Sequence, residues 1–128
     1  VTGQGASAPG RSTLLRYATD SSSVNGTQYT LGTIAATNTI VGILRLIEIG
    51  GSGNNTLDVK IQSDTSGFSS ASDRLTFTQL NQGSGATHEV KTATGPAGSD
   101  NIWRVVVTVG GAGSRSFKLA VGFGYYLT

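Results

Sequence analysis

The sequence predicts an all-β fold, an antiparallel sandwich of about eight strands with little or no helix. Apolar and polar residues alternate along several short stretches, which is typical of strands that bury one face. Glycine is abundant, with 19 residues against two prolines, and Gly, Asn and Ser separate the stretches as turn residues do. Charged residues make up only 12% of the chain, too few to line the exposed faces of several helices.

The chain divides into a short arm and one domain. Its first twelve residues, VTGQGASAPGRS, are small, polar and aperiodic, which is typical of a flexible terminal segment. The rest is long enough for a single domain with its own core. We therefore expect an arm at residues 1–12 and one sandwich domain at residues 13–128.

The first half of the domain contains four candidate strands. Two weakly marked strands are expected at residues 13–18 and 28–32. The stretch 39–49 is apolar on both faces, as expected of a strand that is central to a core. The stretch 56–63 alternates between apolar and polar residues, which indicates a strand with one buried face.

The second half adds two strands and a predicted hairpin. Strands are expected at 74–80 and at 88–92, the second of them a weak edge strand. Two alternating runs near the C-terminus are joined by GGAG at 110–113, whose residues would supply the positive φ angles of a hairpin loop. Their shared faces consist of Trp103, Val105, Val107 and Val109 in the first run and Phe117, Leu119, Val121 and Phe123 in the second. We expect this hairpin at the centre of both sheets.

A double-sheet jelly roll of two Greek keys fits the number of strands. An immunoglobulin-like sandwich is the alternative, although the sequence lacks the Cys…Trp…Cys pattern of that fold. Trp103 keeps strict register with three valines. We therefore expect its side chain in the core rather than on a sugar-binding surface.

Composition excludes several classes of partner. The chain has no cysteine, so it forms neither disulfides nor thiolate metal sites, and it suits a reducing cytosol. The net charge is +2, and the basic residues are scattered, unlike the basic stripe of a nucleic-acid-binding protein. No apolar stretch approaches the roughly 20 residues of a membrane span. We expect no direct binding of nucleic acid and no insertion into a membrane.

The residues with reactive side chains form no recognisable catalytic pattern. His88 is the only histidine, and GFSSA at 67–71 lacks the second glycine of a nucleophile elbow. GQGASA at 3–8 follows no strand and opens no helix, so it is no dinucleotide-binding motif. The loop with Asp64 and Asp73 offers two carboxylates for calcium, and its glycine is misplaced for an EF-hand. We expect no catalytic residue, cofactor or metal, and hence a protein that is not an enzyme.

The two ends of the chain carry the strongest signals for binding a partner. Tyr125 and Tyr126 in the tail GYYLT are aromatic anchors of the kind enriched at interfaces, unless one of them closes the end of the sandwich. The arm would become ordered on binding. The expected partner-binding residues are Val1, Thr2, Gln4, Pro9, Arg11, Tyr125 and Tyr126.

Two stretches in the C-terminal half resemble small structural proteins of tailed bacteriophages. They are SDTSGFSSASDRLTFTQL at 63–80 and NIWRVVVTVGGAGSRSFKLAVGFG at 101–124. The similar positions are Asp73, Leu75, Phe77, Thr78, Trp103, Arg104, Val105, Val109, Phe117, Ala120, Val121 and Gly124. The resemblance implies a capsid decoration, or cement, protein: a jelly roll that is made in the bacterial cytoplasm and sits on the outside of the head. It further implies binding to the major capsid protein and a homo-oligomer, with a trimer favoured.

Two alternatives remain beside the head protein. One is a component of the phage tail, such as a tube, collar or fibre. The other is a carbohydrate-binding jelly-roll module, which would need Trp103, Tyr125 and Tyr126 exposed along a groove. A buried Trp103 therefore argues against the carbohydrate-binding module.

Overall fold

The computed structural model describes residues 11–96 and 98–127, with the backbone alone for Arg11 and Leu127. Within these residues the chain forms ten strands and no helix. The strands are β1 (Arg11–Asp20), β2 (Val24–Asn25), β3 (Tyr29–Thr30), β4 (Asn38–Gly51), β5 (Thr56–Asp64), β6 (Ser72–Thr76), β7 (Leu80–Asn81), β8 (Thr87–Thr94), β9 (Ile102–Gly110) and β10 (Arg115–Leu127).

The strands form two antiparallel sheets that enclose one core. The four-stranded sheet has the order β1-β10-β4-β8, and the six-stranded sheet has the order β2-β9-β5-β6, with β3 beside β9 and β7 beside β5. If β2 with β3 and β6 with β7 each count as one broken strand, eight strands remain, in the arrangement of a double-sheet jelly roll. The predicted all-β, jelly-roll-like sandwich is confirmed.

The core lies between the sheets, because inward side chains alternate with outward ones along the long strands. Trp103 on β9 is fully buried, and its ring centroid lies 4.6 Å from that of Phe123 on β10. This aromatic pair joins the two sheets at their centres. The predicted burial of Trp103 in the core is confirmed.

The predicted C-terminal hairpin is wrong, because β9 and β10 lie in different sheets. β9 pairs with β5 and with the short strands β2 and β3, whereas β10 lies between β1 and β4. The alternating pattern specifies which face of each strand is buried, but not which neighbour it hydrogen-bonds. Both strands are central in their sheets, so each run faces the other across the core instead of lying beside it.

The link between β9 and β10 crosses from one sheet to the other and is held by Asn55. This buried side chain donates from Nδ2 to the carbonyl oxygens of Ser52 and Ser114, at 3.0 and 3.1 Å, and accepts the Gly113 N–H at 3.1 Å. A Cβ at Gly113 would lie 2.2 Å from the Ser52 carbonyl oxygen, so the crossing requires glycine there. Of the four loop residues expected to have positive φ, only Gly111 does, at +97°.

Other strand boundaries also differ from those predicted. β1 begins at Arg11, so the boundary placed after residue 12 falls inside a strand. The strand expected at 74–80 is interrupted, because β6 ends at Thr76 and β7 begins at Leu80. The short strand β2 was not predicted.

Candidate assembly surface

The outer face of the four-stranded sheet carries a cluster of exposed apolar side chains, with Arg45, Glu48 and His88 beside it, and we call it the apolar face. Among the described residues, every large hydrophobic side chain classed as exposed lies there: Leu14, Tyr17, Ile43, Val90 and Tyr126. Leu14 is 57% and Val90 is 54% exposed. A concentration of such side chains on one face of a soluble domain marks an interaction surface.

One row of side chains crosses all four strands of this face. Leu14 on β1 pairs with Gly122 on β10, Gly122 pairs with Ile43 on β4, and Ile43 pairs with Val90 on β8. The row therefore reads large, small, large, large from one sheet edge to the other.

Residues 39–49 are buried on one face of their strand, as expected, but not on the other. Ile40, Leu44 and Leu46 point into the core and are buried, but Ile43, between them, points outward and is 46% exposed. The stretch is apolar on both faces although only one of them meets the core. A strand with two apolar faces in an antiparallel sheet indicates a second contact surface.

A trench runs along β10 on the apolar face, floored by the outward residues Gly122 and Gly124. Its groove has a volume of about 560 Å³ and is walled by Leu14 on one side and by Ile43 on the other. A Cβ at Gly122 would meet nothing within 4 Å, which shows that the space above the floor is open. β1 and β4 lie on either side of β10, two strand spacings apart, so their backbones are separated by about 10 Å across the trench.

Aromatic and charged side chains lie along β10 on both sides of the trench floor. Tyr126 lines the trench and is 44% exposed. In the opposite direction along β10, the Lys118 ammonium lies 5.7 Å from the centroid of the Tyr17 ring, and Lys118 pairs in register with Glu48 on β4. The apolar row is thus bordered by charges of both signs.

The outer face of the six-stranded sheet is polar, and its side chains bind one another. Gln62 donates to Asp73 at 2.8 Å and accepts from Arg104 at 2.9 Å, while Lys60 forms an ion pair with Asp73 at 3.1 Å. The Arg104 guanidinium lies 4.2 Å above the ring of Phe68. The hydrogen bond from Gln62 and the nearby Lys60 hold the pKa of Asp73 below its usual value.

A second polar cluster lies at one end of the sandwich. The buried Ser63 hydroxyl donates to Asp100 at 2.6 Å, and Arg74 donates to both groups at 2.8 Å. The hydrogen bonds from Ser63 and Arg74 lower the pKa of Asp100. The Ser63 side chain is fully buried, so its hydroxyl acts here as a structural group that links Asp100 and Arg74.

The residues considered for chemistry have other partners. Asp64 accepts the backbone N–H groups of Thr65 and Ser70, which lower its pKa and shape the following loop. His88 is exposed on the edge strand β8, opposite Arg45. Across 11–96 and 98–127, no group of three or more His, Cys, Asp or Glu side chains is placed to hold a metal ion. No helix in these ranges is long and apolar enough to cross a membrane.

The predicted partner-binding residues are described only in part. Val1, Thr2, Gln4 and Pro9 lie outside the described residues, as does the GQGASA motif at 3–8. The Arg11 backbone pairs with Tyr125, so the start of β1 lies beside the end of β10. Tyr125 is half-buried against the core, whereas Tyr126 lies on the apolar face.

Sequence reasoning missed the centre of the apolar face. Leu14, Tyr17, Ile43 and Val90 were not among the expected partner-binding residues. Two signals in the sequence point to them: the apolar residues on both faces of 39–49, and the small residues at every second position from Ala120 to Gly124. Neither signal is interpretable until the strand order places these residues side by side.

Comparison with known structures supports the fold. A chain in the structure of the infectious bursal disease virus Gx strain matches 94% of this chain with a TM-score of 0.59 and 14% sequence identity. This chain spans 34% of the length of that one. At this identity the likeness shows the fold alone. The fold is one that occurs in a virus. No protein-family model matches the chain, and no curated protein matches it.

Proposed function

We propose that this chain is a non-enzymatic structural protein of a bacteriophage virion, a decoration or cement protein on the outside of the head. The observation that carries the proposal is the apolar face, which is suited to burial against another protein. The likeness of the fold to a virus chain and the resemblance of residues 63–80 and 101–124 to phage structural proteins support it.

A protein that reinforces a shell needs contact surfaces rather than reactive groups. The described carboxylates that have lowered pKa values each accept hydrogen bonds that stabilise the fold, including those of Asp64, Asp73 and Asp100. Many weak contacts, repeated on a symmetric shell, become strong through multivalency. These features favour assembly as the role of the molecule.

Two parts of the apolar face have different roles in this proposal. Its centre joins copies of the chain, while its end, where β1 begins and β10 finishes, contacts the major capsid protein. The Arg11 backbone, Tyr125 and Tyr126 lie at that end. Tyrosines at such a position combine a large apolar surface with a hydroxyl that forms hydrogen bonds, as interface residues do.

The experiment is cosedimentation of the full chain with phage heads that lack it. We expect saturable binding at a fixed ratio to the major capsid protein, and heads that then resist heating better. Tyr126→Ala is expected to weaken binding at least threefold. Thr108→Ala, an exposed position on the opposite sheet, is the matched control and should bind like the wild type.

Other results would contradict the head assignment. A chain that ignores heads but sediments with purified tails would be a tail component. A carbohydrate-binding role has lost its main support, because the Trp103 ring is buried in the core and cannot stack on a sugar. Binding of an oligosaccharide by the free chain, without any binding to heads, would nevertheless overturn the proposal.

A further inference from the structure

We propose that a second copy of this chain covers the apolar face, in a two-fold dimer whose four-stranded sheets pack against each other. In this dimer Ile43 of each copy enters the trench above Gly122 of the other. The proposal goes beyond the virion role, because it concerns the free chain and holds whether or not heads bind it.

The area of the face suits a weak, reversible contact. Four strands at about 4.8 Å spacing, over eight residues at about 3.4 Å each, cover roughly 500 Å². Two copies in contact would therefore bury roughly 1,000 Å² in total, which is the size of a transient interface. The central row is apolar, as the middle of a homodimer interface is.

The row across the sheet is complementary to itself. A two-fold axis that lies in the interface, parallel to the strands and midway between β10 and β4, places β4 of one copy over β10 of the other. One copy of the row Leu14, Gly122, Ile43, Val90 then faces the same row of the other copy in the opposite order. Ile43 lies over the bare backbone of Gly122, and Leu14 lies against Val90, each contact occurring twice as in any isologous interface.

The same axis fixes the contacts of the neighbouring rows. On one side of the central row, Val41 pairs with Gly124 within the sheet, so Val41 lies over Gly124 of the other copy. On the other side, Arg45 lies over Ala120 of the other copy, and Tyr17 lies over His88.

The row beyond these pairs Lys118 with Glu48, so the axis places Lys118 over Glu48 of the other copy and sets opposite charges against each other. Small residues on β10 thus meet large ones on β4, and Lys118 meets an anion. Such charges at the rim contribute mainly to specificity and register.

The polar face of the six-stranded sheet lacks these properties. Its centre carries Lys60, Gln62 and Arg104 in bonds with one another, and burying them would remove water from charged groups. In a dimer through that face, the loss of hydration would outweigh the contacts that form.

The test is sedimentation velocity of the full chain from about 1 to 200 μM, with far-UV circular dichroism to confirm folding. We expect a monomer–dimer equilibrium in the wild type. Gly122→Val fills the trench where a Cβ has open space, and Ile43→Lys places a charge in the row. Each is expected to raise the dimer dissociation constant at least tenfold. Thr108→Lys on the polar face, opposite Asp58, is the control and should leave it unchanged.

Charge reversal provides a second measurement, which stays informative if a trench variant folds poorly. Lys118→Glu and Glu48→Lys are each expected to weaken the dimer about threefold or more, and the double reversal is expected to restore it. A chain that is monomeric throughout this range overturns the proposal. Any other stoichiometry does so as well, including the trimer that the phage resemblance implies. A dimer that the trench and charge variants leave unchanged also overturns it. Each of these results leaves binding to heads as a separate question.

Discussion

The two outer faces of the sandwich differ sharply although the inner faces are alike. Both sheets direct buried Val, Leu, Ile and aromatic side chains into one core. Outside, the six-stranded sheet carries charged and amide groups that bond to one another, whereas the four-stranded sheet carries Leu14, Ile43 and Val90 in one exposed row. Burial in the core accounts for the apolar inner faces, and contact with water accounts for the polar outer face of the six-stranded sheet. The apolar outer face needs a different explanation, and the one we propose is assembly.

The largest expected effect is a difference in the free energy of unfolding between substitutions at two neighbouring residues of β4. Leu44 is buried in the core, so Leu44→Ala should lower the free energy of unfolding by about 3 kcal/mol. Ile43→Ala changes the outer face and should lower it by less than about 1 kcal/mol, when measured at a concentration where the chain is monomeric. Urea unfolding of both variants measures the difference. Equal losses would mean that the apolar face contributes to the core of the monomer.

A smaller effect is expected on the polar face. Gln62→Ala removes an acceptor for Arg104 and a donor to Asp73, and should destabilise the fold by about 1–2 kcal/mol. Thr108→Ala on the same face is the control, with an expected change below about 0.5 kcal/mol. Thermal or urea unfolding compares the two. If Gln62→Ala costs no more than the control, these bonds contribute nothing to stability.

Acid should destabilise the fold, because four described carboxyls have lowered pKa values: Asp64, Asp73, Glu89 and Asp100. The folded-state pKa values of Asp73 and Asp100 lie below the ordinary value of 3.8, because hydrogen bonds and nearby cations stabilise their charged forms. A lowered folded pKa contributes stability above the unfolded pKa, and this stability is lost as the pH falls. We expect unfolding free energies that are flat from pH 7 to about 5 and that decrease below about pH 4.

The acid response has its own pair of variants. Asp73→Asn should reduce the slope of stability below about pH 4, because it removes one of the shifted carboxyls. Val90→Thr on the apolar face should leave the slope unchanged. An unaltered slope in Asp73→Asn would show that this carboxyl does not couple folding to pH.

The smallest expected effect is a gain in stability, whereas the other substitutions lower it. Gly122 lies within a strand, where glycine loses more conformational entropy on folding than alanine does, and a Cβ there meets nothing. Gly122→Ala should therefore stabilise the monomer by about 0.5 kcal/mol, measured by urea unfolding at low concentration. Val121→Ala, its buried neighbour, should destabilise it. A loss of stability in Gly122→Ala would mean that the trench is filled within the monomer.

The sequence was sufficient for the fold class and for most strands. Alternation identified the strands that contain Leu57 and Trp103, because each of them has one apolar face that meets the core. It failed at the link 110–113, because a glycine-rich loop serves a hairpin and a crossing between sheets equally well. The strand pairing distinguishes the two, since β9 pairs with β5 while β10 pairs with β1 and β4, and these partners are far from the link in the chain.

The candidate surface was harder to predict from the sequence than the fold. Tyr126 was expected to bind a partner because of its residue type, but Leu14, Ile43 and Val90 become one row only through the strand order β1-β10-β4-β8. Gly122 was uninformative in the sequence, since glycine in a strand has several uses. Its position between Leu14 and Ile43 turns it into the floor of a trench.

The central claim is that the apolar face becomes covered by protein and the polar face does not. The chain has no cysteine, so Val90→Cys and Thr108→Cys each introduce a single thiol, one on each outer face. The measurement is the rate of maleimide labelling as the concentration of the chain rises from about 1 to 200 μM. We expect labelling of Val90→Cys to slow at least fivefold while that of Thr108→Cys stays constant. Constant labelling of both thiols, or protection of Thr108→Cys alone, would contradict the account.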